Sequence, residues 1–176
     1  NAGSNAGHPT PMAAADYDGD GDIDLYIGVY NSSTEKYEHY LLNNDWGKFT
    51  DVTKEAGLRH EGMNKHFKFA DFDNDGYLDL FVVNSEENIL YQNSGEGTFS
   101  DITKKSGIDG KDGGNKSLFF DYDHDGDLDL YIARDNLNRL YRNNMDGTFT
   151  ELAEDANLAG EDVATTDAQF GDFDDD

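Results

Sequence analysis

At intervals of about fifty residues the chain returns to one acidic pattern. Asp16 to Ile27 reads DYDGDGDIDLYI, Asp71 to Val82 reads DFDNDGYLDLFV, and Asp121 to Ile132 reads DYDHDGDLDLYI. A truncated copy, DFDDD, begins at Asp172, so successive starts lie 55, 50 and 51 residues apart. A second signature, NNDWGKFTDVT, NSGEGTFSDIT and NNMDGTFTELA, keeps the same step, with Phe49, Phe99 and Phe149 spaced by 50. Two independent markers with one period define a repeat, and a repeat of this length restricts the fold to units that pack against their own copies.

Each repeat carries the same run of short strand signals. An aromatic stretch such as HFKFADF or KSLFFDY enters the acidic loop, and an alternating stretch such as LDLFVV or LDLYIA leaves it. ILYQN or LYRN, a glycine turn, and TFSDI or TFTEL follow. The linkers TKEAGL, TKKSGI and AEDANL have room for a single helical turn. Four strands in about fifty residues is the content of a β-propeller blade, whereas a β-solenoid uses shorter repeats. The expectation is an all-β chain of four-stranded antiparallel blades: three complete repeats plus the first strand of a fourth, in a partial or assembled propeller. One continuous repeat domain divides into a lead-in (1–11), repeats at 12–62, 63–112 and 113–163, and the start of a fourth at 164–176. The first repeat holds about five extra residues in NSSTEKYEHY, between Asn31 and Tyr40, where a loop is expected.

The acidic loop has the form D-x-D-x-D-G-x-x-D. Carboxylates at positions 1, 3, 5 and 9 and the backbone carbonyl at position 7 supply hard oxygen ligands, and glycine at position 6 permits a tight turn around an ion. The side-chain ligands are Asp16, Asp18, Asp20 and Asp24; Asp71, Asp73, Asp75 and Asp79; and Asp121, Asp123, Asp125 and Asp129. The carbonyls come from Asp22, Tyr77 and Asp127, and Tyr77 shows that position 7 needs no carboxylate. Asp172, Asp174 and Asp176 open a fourth, partial site. Such a shell suits Ca2+ better than Mg2+, which prefers a small octahedron with its own waters, or Zn2+, which wants His and Cys. An EF-hand needs a bidentate Glu at position 12 and flanking helices, but position 12 is Ile27, Val82 or Ile132 inside a strand. Asp and Gly also form turns without an ion. Three matching loops at one period, each gathering mutually repelling carboxylates, favour the ion.

These repeats resemble the FG-GAP and VCBS family, the calcium-binding blade repeats of integrin α-subunit propellers and of many secreted bacterial propellers. The D-x-D-x-D-G-x-x-D-L motif carries the resemblance from about Met12 to Asp176, and LYRNNMDGTFT is similar to the bacterial VCBS branch. It implies a blade with Ca2+ between its first two strands, an extracellular or cell-surface setting, and roles in adhesion, carbohydrate binding or scaffolding; some members are propeller domains of lyases. Phe170-Gly171 is the only FG pair at the expected place and no Gly-Ala-Pro follows a loop, so integrin-like ligand recognition is not implied.

Composition sets the remaining limits. Acidic residues outnumber basic ones 38 to 13, giving a formal charge of -25, which argues against DNA, RNA and anionic membranes as partners. No cysteine is present, and no apolar run reaches the roughly 18 residues of a membrane span. NAGSNAG at the start carries neither an initiator Met nor a signal peptide, so a mature or excised segment is expected. Ending inside a motif favours a fragment of a longer propeller, with assembly of several copies as the alternative. Asn31 and Asn115 sit in N-x-S sequons. His8, His39, His60, His66 and His124 form no close ligand pair, and no nucleophile motif is present, so the chain itself is not expected to be an enzyme. Trp46, Tyr30, Tyr37 and Tyr40 could stack on a sugar, although such aromatics more often pack between blades. The expected function is a Ca2+-binding extracellular repeat protein with a structural, adhesive or self-assembling role. Its expected partners are the rest of a longer propeller, other copies, a glycan or a cell-surface protein. The alternative is a propeller segment of a secreted polysaccharide lyase or carbohydrate-binding protein whose active site lies elsewhere.

Overall fold

The computed structural model describes residues 10–58, 62–111, 113–160 and 164–171. Its strands form three separate four-stranded sheets, each antiparallel and in simple up-and-down order. The first holds β1 (Met12–Ala15), β2 (Asp24–Asn31), β3 (Lys36–Asp45) and β4 (Lys48–Asp51). The second holds β5 (Asn64–Ala70), β6 (Asp79–Asn84), β7 (Ile89–Asn93) and β8 (Phe99–Asp101). β9 (Lys116–Phe120), β10 (Asp129–Ala133), β11 (Arg139–Asn143) and β12 (Phe149–Glu151) make the third. The linker after β8 forms one helical turn, α1 (Thr103–Ser106), and those after β4 and β12 are non-helical turns. The all-β, four-strand expectation therefore holds for each repeat, and we refer to the sheets as blades 1 to 3.

The strand pattern follows from how the blades stack. β6 is buried along its whole length, and its alternate residues point into two different cores. Leu80 and Val82 join Tyr17, Tyr26, Leu41 and Phe67 between blades 1 and 2. Phe81 and Val83 join Phe119, Leu130, Ile132 and Tyr141 between blades 2 and 3. This strand of the middle blade thus has no solvent-facing side, which is why LDLFVV is almost wholly apolar. In blade 1 the residues of β2 that point away from blade 2, Leu25, Ile27 and Val29, are only half-buried, because no described blade covers them.

The repeated phenylalanine marks the same polarity. Phe99 packs on Tyr17 with ring centroids 5.8 Å apart, and Phe149 packs on Phe72 at 5.7 Å. Each reaches back to the blade before it. Phe49 occupies the same place in blade 1 and stays 46% exposed, against 6% for Phe99 and Phe149.

The extra residues of repeat 1 do not form a loop. They lengthen the β2–β3 hairpin, with Asn31 paired to Lys36 and Tyr30 to Tyr37, so the insertion adds ladder hydrogen bonds instead of unpaired backbone. Tyr40 and Asn31 both donate to the Glu38 carboxylate, at 2.6 and 3.1 Å. His39 is buried at the first seam against Tyr26, Phe67 and Asn64. His66 lies at the second seam beside Ser117 (3.2 Å); burial, aided by Lys116, holds its ring down at about 4, so it is neutral at physiological pH. His8 and His60 lie outside the described residues.

Residues 164–171, where the sequence points to the first strand of a fourth blade, run beside blade 3 without a strand of their own. Thr165 N–H donates to the Arg134 carbonyl at 2.7 Å, and Phe170 stacks on Phe120 at 5.2 Å. With no second strand of that blade described, no hairpin partner defines a ladder there.

The seams predict a position-dependent cost. Phe149→Ala should destabilise the protein by about 3–5 kcal/mol, the usual range for emptying a buried phenylalanine site. Phe49→Ala should cost about 1 kcal/mol or less, since much of that ring is already in water. Urea denaturation of the two variants checks the difference, and equal losses would contradict the seam assignment.

Candidate metal centres

Each acidic loop closes the hairpin between the first two strands of its blade. Register fixes its ends: Ala15 pairs with Asp24, Ala70 with Asp79 and Phe120 with Asp129, so position 9 is always the first residue of the second strand. The turn needs left-handed backbone twice. Position 4 has φ of 75° at Gly19, 57° at Asn74 and 61° at His124. Position 6 has φ of 94°, 90° and 97° at Gly21, Gly76 and Gly126. Nothing lies within 4 Å of where a Cβ would sit at these three glycines, so backbone conformation and not crowding requires them.

The loops gather their carboxylates. Asp16, Asp18 and Asp24 offer oxygens within 4.8 Å of one another, as do Asp71, Asp73 and Asp79, and Asp121, Asp123 and Asp129. These are positions 1, 3 and 9 of the expected ligand set. Position 5 lies outside that grouping: one oxygen of Asp20, Asp75 and Asp125 accepts the amide of residue 22, 77 or 127, at 2.8, 2.9 and 3.1 Å. At position 7 the Asp22 carboxylate accepts from Trp46 N–H (2.9 Å) and that of Asp127 from Asn74 Nδ2 (2.9 Å). Both side chains are committed away from the triads, consistent with a role for the position-7 backbone oxygen alone. Asp172, Asp174 and Asp176 lie outside the described residues. His124 is exposed at its non-ligand position.

Position 9 is the most tightly held. Asp79 accepts Phe72 N–H on one oxygen (3.2 Å) and Asn93 N–H on the other (2.7 Å). Asp24 accepts Tyr17 and Asn44 in the same way (3.2 and 2.7 Å), and Asp129 accepts Tyr122 and Asn143 (2.8 and 2.8 Å). Position 3 is steadied by an amide from the third strand, Asn43 Nδ2 to Asp18 and Gln92 Nε2 to Asp73, each at 2.6 Å.

The aligned asparagine that meets position 9 also crosses the seam. Asn93 Nδ2 donates to the Tyr17 carbonyl of blade 1 at 2.9 Å, and Asn143 Nδ2 to the Phe72 carbonyl of blade 2 at 2.7 Å. Tyr17 and Phe72 are the residues whose own amides hold Asp24 and Asp79. An unbroken path of hydrogen bonds therefore runs from the first triad through the second to the third. Each of these asparagines also donates within its own loop, Asn44 to Ile23 (3.0 Å), Asn93 to Leu78 (3.0 Å) and Asn143 to Leu128 (3.3 Å); Asn44 has no described blade before it to reach. The recurrent Asn in NNDWG, NSGEG and NNMDG was visible in the sequence, but spacing gave it no chemical task.

The electrostatics favour a cation. Burial, with the neighbouring loop carboxylates adding to it, pushes Asp18, Asp24, Asp73 and Asp129 above the ordinary carboxylate range. Burial alone is the leading cause at Asp79, which is driven up to about 7. One Asp73 oxygen, Oδ1, is buried and has no hydrogen-bond partner. A buried carboxylate oxygen without a donor is costly unless a cation meets it. The all-oxygen donor set, the turn and this orphan atom fit a hard divalent ion.

Three stacked four-stranded antiparallel blades, each with one such loop on its first hairpin, define a bladed repeat protein. The chain belongs to the FG-GAP-like repeat family, which matches residues 16–82, 71–132 and 121–176. No match to a curated protein is found.

Two outcomes follow. Asn143→Ala should cost about 1–3 kcal/mol, because it strips the Phe72 carbonyl of a buried donor, whereas Asn44→Ala should cost less; thermal unfolding separates them. In metal-free protein, folded Asp79 keeps its proton from about pH 4 to 7 while the unfolded chain has lost it. The stability it contributes is thus full below about 4 and disappears as pH rises through 7. A cation must displace that proton, so Ca2+ should raise the melting temperature more at pH 7.5 than at pH 5.5; scanning fluorimetry at the two pH values tests this.

Proposed function

We propose that the chain is a Ca2+-stabilised, extracellular repeat module with a structural, adhesive or self-assembling role. The observation that carries this reading is the threefold recurrence of one carboxylate triad, with its position-9 member buried, at the same hairpin of each described blade. Without an ion each triad is a concentration of like charge; with one, the carboxylates become the ligands they are shaped to be. Asp16, Asp18, Asp20 and Asp24 with the Asp22 carbonyl would hold the first ion. Asp71, Asp73, Asp75 and Asp79 with the Tyr77 carbonyl would hold the second, and Asp121, Asp123, Asp125 and Asp129 with the Asp127 carbonyl the third. The family supports the extracellular setting. No helix among the described residues is long and apolar enough to cross a membrane.

In this reading the ion is a staple. It joins the hairpin loop to the start of the second strand, and through the position-9 aspartate to the third strand, in a chain that has no disulfide to do so. The half-buried rear face of blade 1, with Leu25, Ile27, Val29 and Phe49, is shaped to receive another blade, from a longer chain or a second copy. The chain itself has no catalytic task.

A second reading rests on Trp46. Its ring does not pack between blades; it is 91% exposed at the β3–β4 turn beside the first metal loop. An exposed indole suits stacking on a sugar ring, as in a propeller segment of a carbohydrate-binding protein or polysaccharide lyase. Glycan-array binding lost in Trp46→Ala but kept in Phe49→Ala would favour it.

The metal reading is tested by calorimetry and melting. Titration with CaCl2 should give three sites per chain. Ca2+ at a hundredfold excess over Kd adds about 2.7 kcal/mol per site, which in a domain of this size raises the melting temperature by about 5–10 °C per site. EDTA should reverse the gain and Asp73→Ala should remove one site; a melt indifferent to both Ca2+ and EDTA would sink the proposal.

A further inference from the structure

We propose that Asn74 makes the second and third metal loops a coupled pair, a relation that the first and second loops do not share. The inference rests on the metal reading above and goes beyond it, since nothing in the repeat motif assigns a role to position 4.

Asn74 stands at position 4 of the second loop. Its Nδ2 reaches across the seam to Asp127 Oδ1 at 2.9 Å. Asp127 is position 7 of the third loop, the residue whose backbone carbonyl would face the third ion, and its amide is tied to Asp125 at 3.1 Å. It is 2% exposed, and its other carboxylate oxygen is buried with no hydrogen-bond partner. Asn74 therefore supplies the hydrogen bond this buried side chain has. A carboxylate held by one donor follows that donor, so the placement of residue 127 depends on the order of the second loop.

The equivalent positions at the first seam lack both halves of the contact. Position 4 of the first loop is Gly19, which has no side chain, and position 7 of the second is Tyr77, which has no carboxylate. Tyr77 instead lies over the β7–β8 turn, so close that a Cβ on Gly95 would fall 2.5 Å from its ring. Among the described residues the first and second triads are joined by the Asn93 path, with no counterpart of the Asn74 bridge. The second and third have the matching Asn143 path and the Asn74 bridge besides.

An ion in the second loop fixes the turn that carries Asn74. That turn fixes Asp127, and Asp127 presents its carbonyl to the third ion. Coupling of this kind is reciprocal, so filling the third site tightens the second by the same factor. Direct repulsion between two cations acts the other way and does not need Asn74, so a mutant cycle separates the two effects.

The loops carry their own reporters. The amides of Gly21, Gly76 and Gly126 donate to Asp16, Asp71 and Asp121 at 3.0, 2.9 and 3.1 Å, so each amide NMR signal should follow the filling of one site. The full 176-residue chain is titrated with CaCl2 in four forms: unchanged, Asp73→Ala, Asn74→Gly, and both together. Glycine suits position 74 because Gly19 holds the same left-handed conformation in the first loop. Disabling the second site with Asp73→Ala should raise the Gly126 midpoint about fivefold, at the lower end of typical coupling between sites, and should move the Gly21 midpoint less. In the Asn74→Gly background the same change should leave the Gly126 midpoint where it was. Asp127→Asn, which keeps an oxygen for Asn74 to bond, should retain the coupling. An equal Gly126 shift with and without the Asn74 amide would overturn the proposal and leave the metal sites standing. Glycine signals that ignore Ca2+ in the unchanged chain would overturn both.

Discussion

Three aspartates, Asp24, Asp79 and Asp129, are where the architecture is decided. Each is a nearly or wholly buried carboxylate that begins the second strand of its blade and accepts one amide from its own loop and one from the third strand. Hydrogen bonds to a charged group are worth about 1.5–3 kcal/mol each, roughly twice the neutral kind. Two per blade set the loop and the third strand relative to each other before any side-chain packing is counted. They also set a problem, because amides satisfy the oxygens without removing the charge. Protonation or a cation must do that, and positions 1 and 3 point toward the cation.

Stacking adds direction. In every described blade the side chains that face forward differ from those that face back, and the front of one blade fits the rear of the next. Phe99 and Phe149 reach back, and Phe81 faces forward. Contacts of this head-to-tail kind extend until a ring closes or a terminal surface is capped. The asparagine path follows the same direction: its backbone end holds the position-9 carboxylate of its own blade, and its side-chain end holds the loop of the blade before. Metal loop and apolar seam are consequently parts of one interface.

Much of this was legible in the sequence. The fifty-residue period marked the three sheets, the alternating runs gave four strands, and Asp-Gly spacing marked the loop in which the carboxylates at positions 1, 3 and 9 lie together. What was not legible has one cause: the deciding contacts join residues far apart in the chain. Asn143 and Phe72 are 71 residues apart, and no local pattern predicts that a turn asparagine will grip a carbonyl in another blade. Likewise the extra residues of NSSTEKYEHY stood where a loop is expected, but Tyr30 and Tyr37 pack at 5.1 Å across an extended hairpin, a cross-strand pairing that the position of an insertion does not disclose. Position 5 was equivalent to its neighbours on paper; in the fold its oxygen is engaged by the amide two residues on, which motif spacing does not disclose.

Blade 1 has no described blade behind it. Its strands, loop and aspartate geometry are formed like the others, so local hydrogen bonding and a single seam suffice to define them. Yet its β4 is exposed throughout, whereas β8 and β12 begin with buried phenylalanines. The fourth strand is therefore the element least supported from within a blade, since its apolar residue is built to rest on a neighbour. Small sheets of this kind bury too little surface to stand alone. A neighbour on the rear face and a cation on the hairpin address different deficits, one of apolar burial and one of charge. Both meet at the loop residue preceding position 3: Tyr17 and Phe72 offer an amide to the carboxylate, a carbonyl to the asparagine, and a ring to the next blade's phenylalanine.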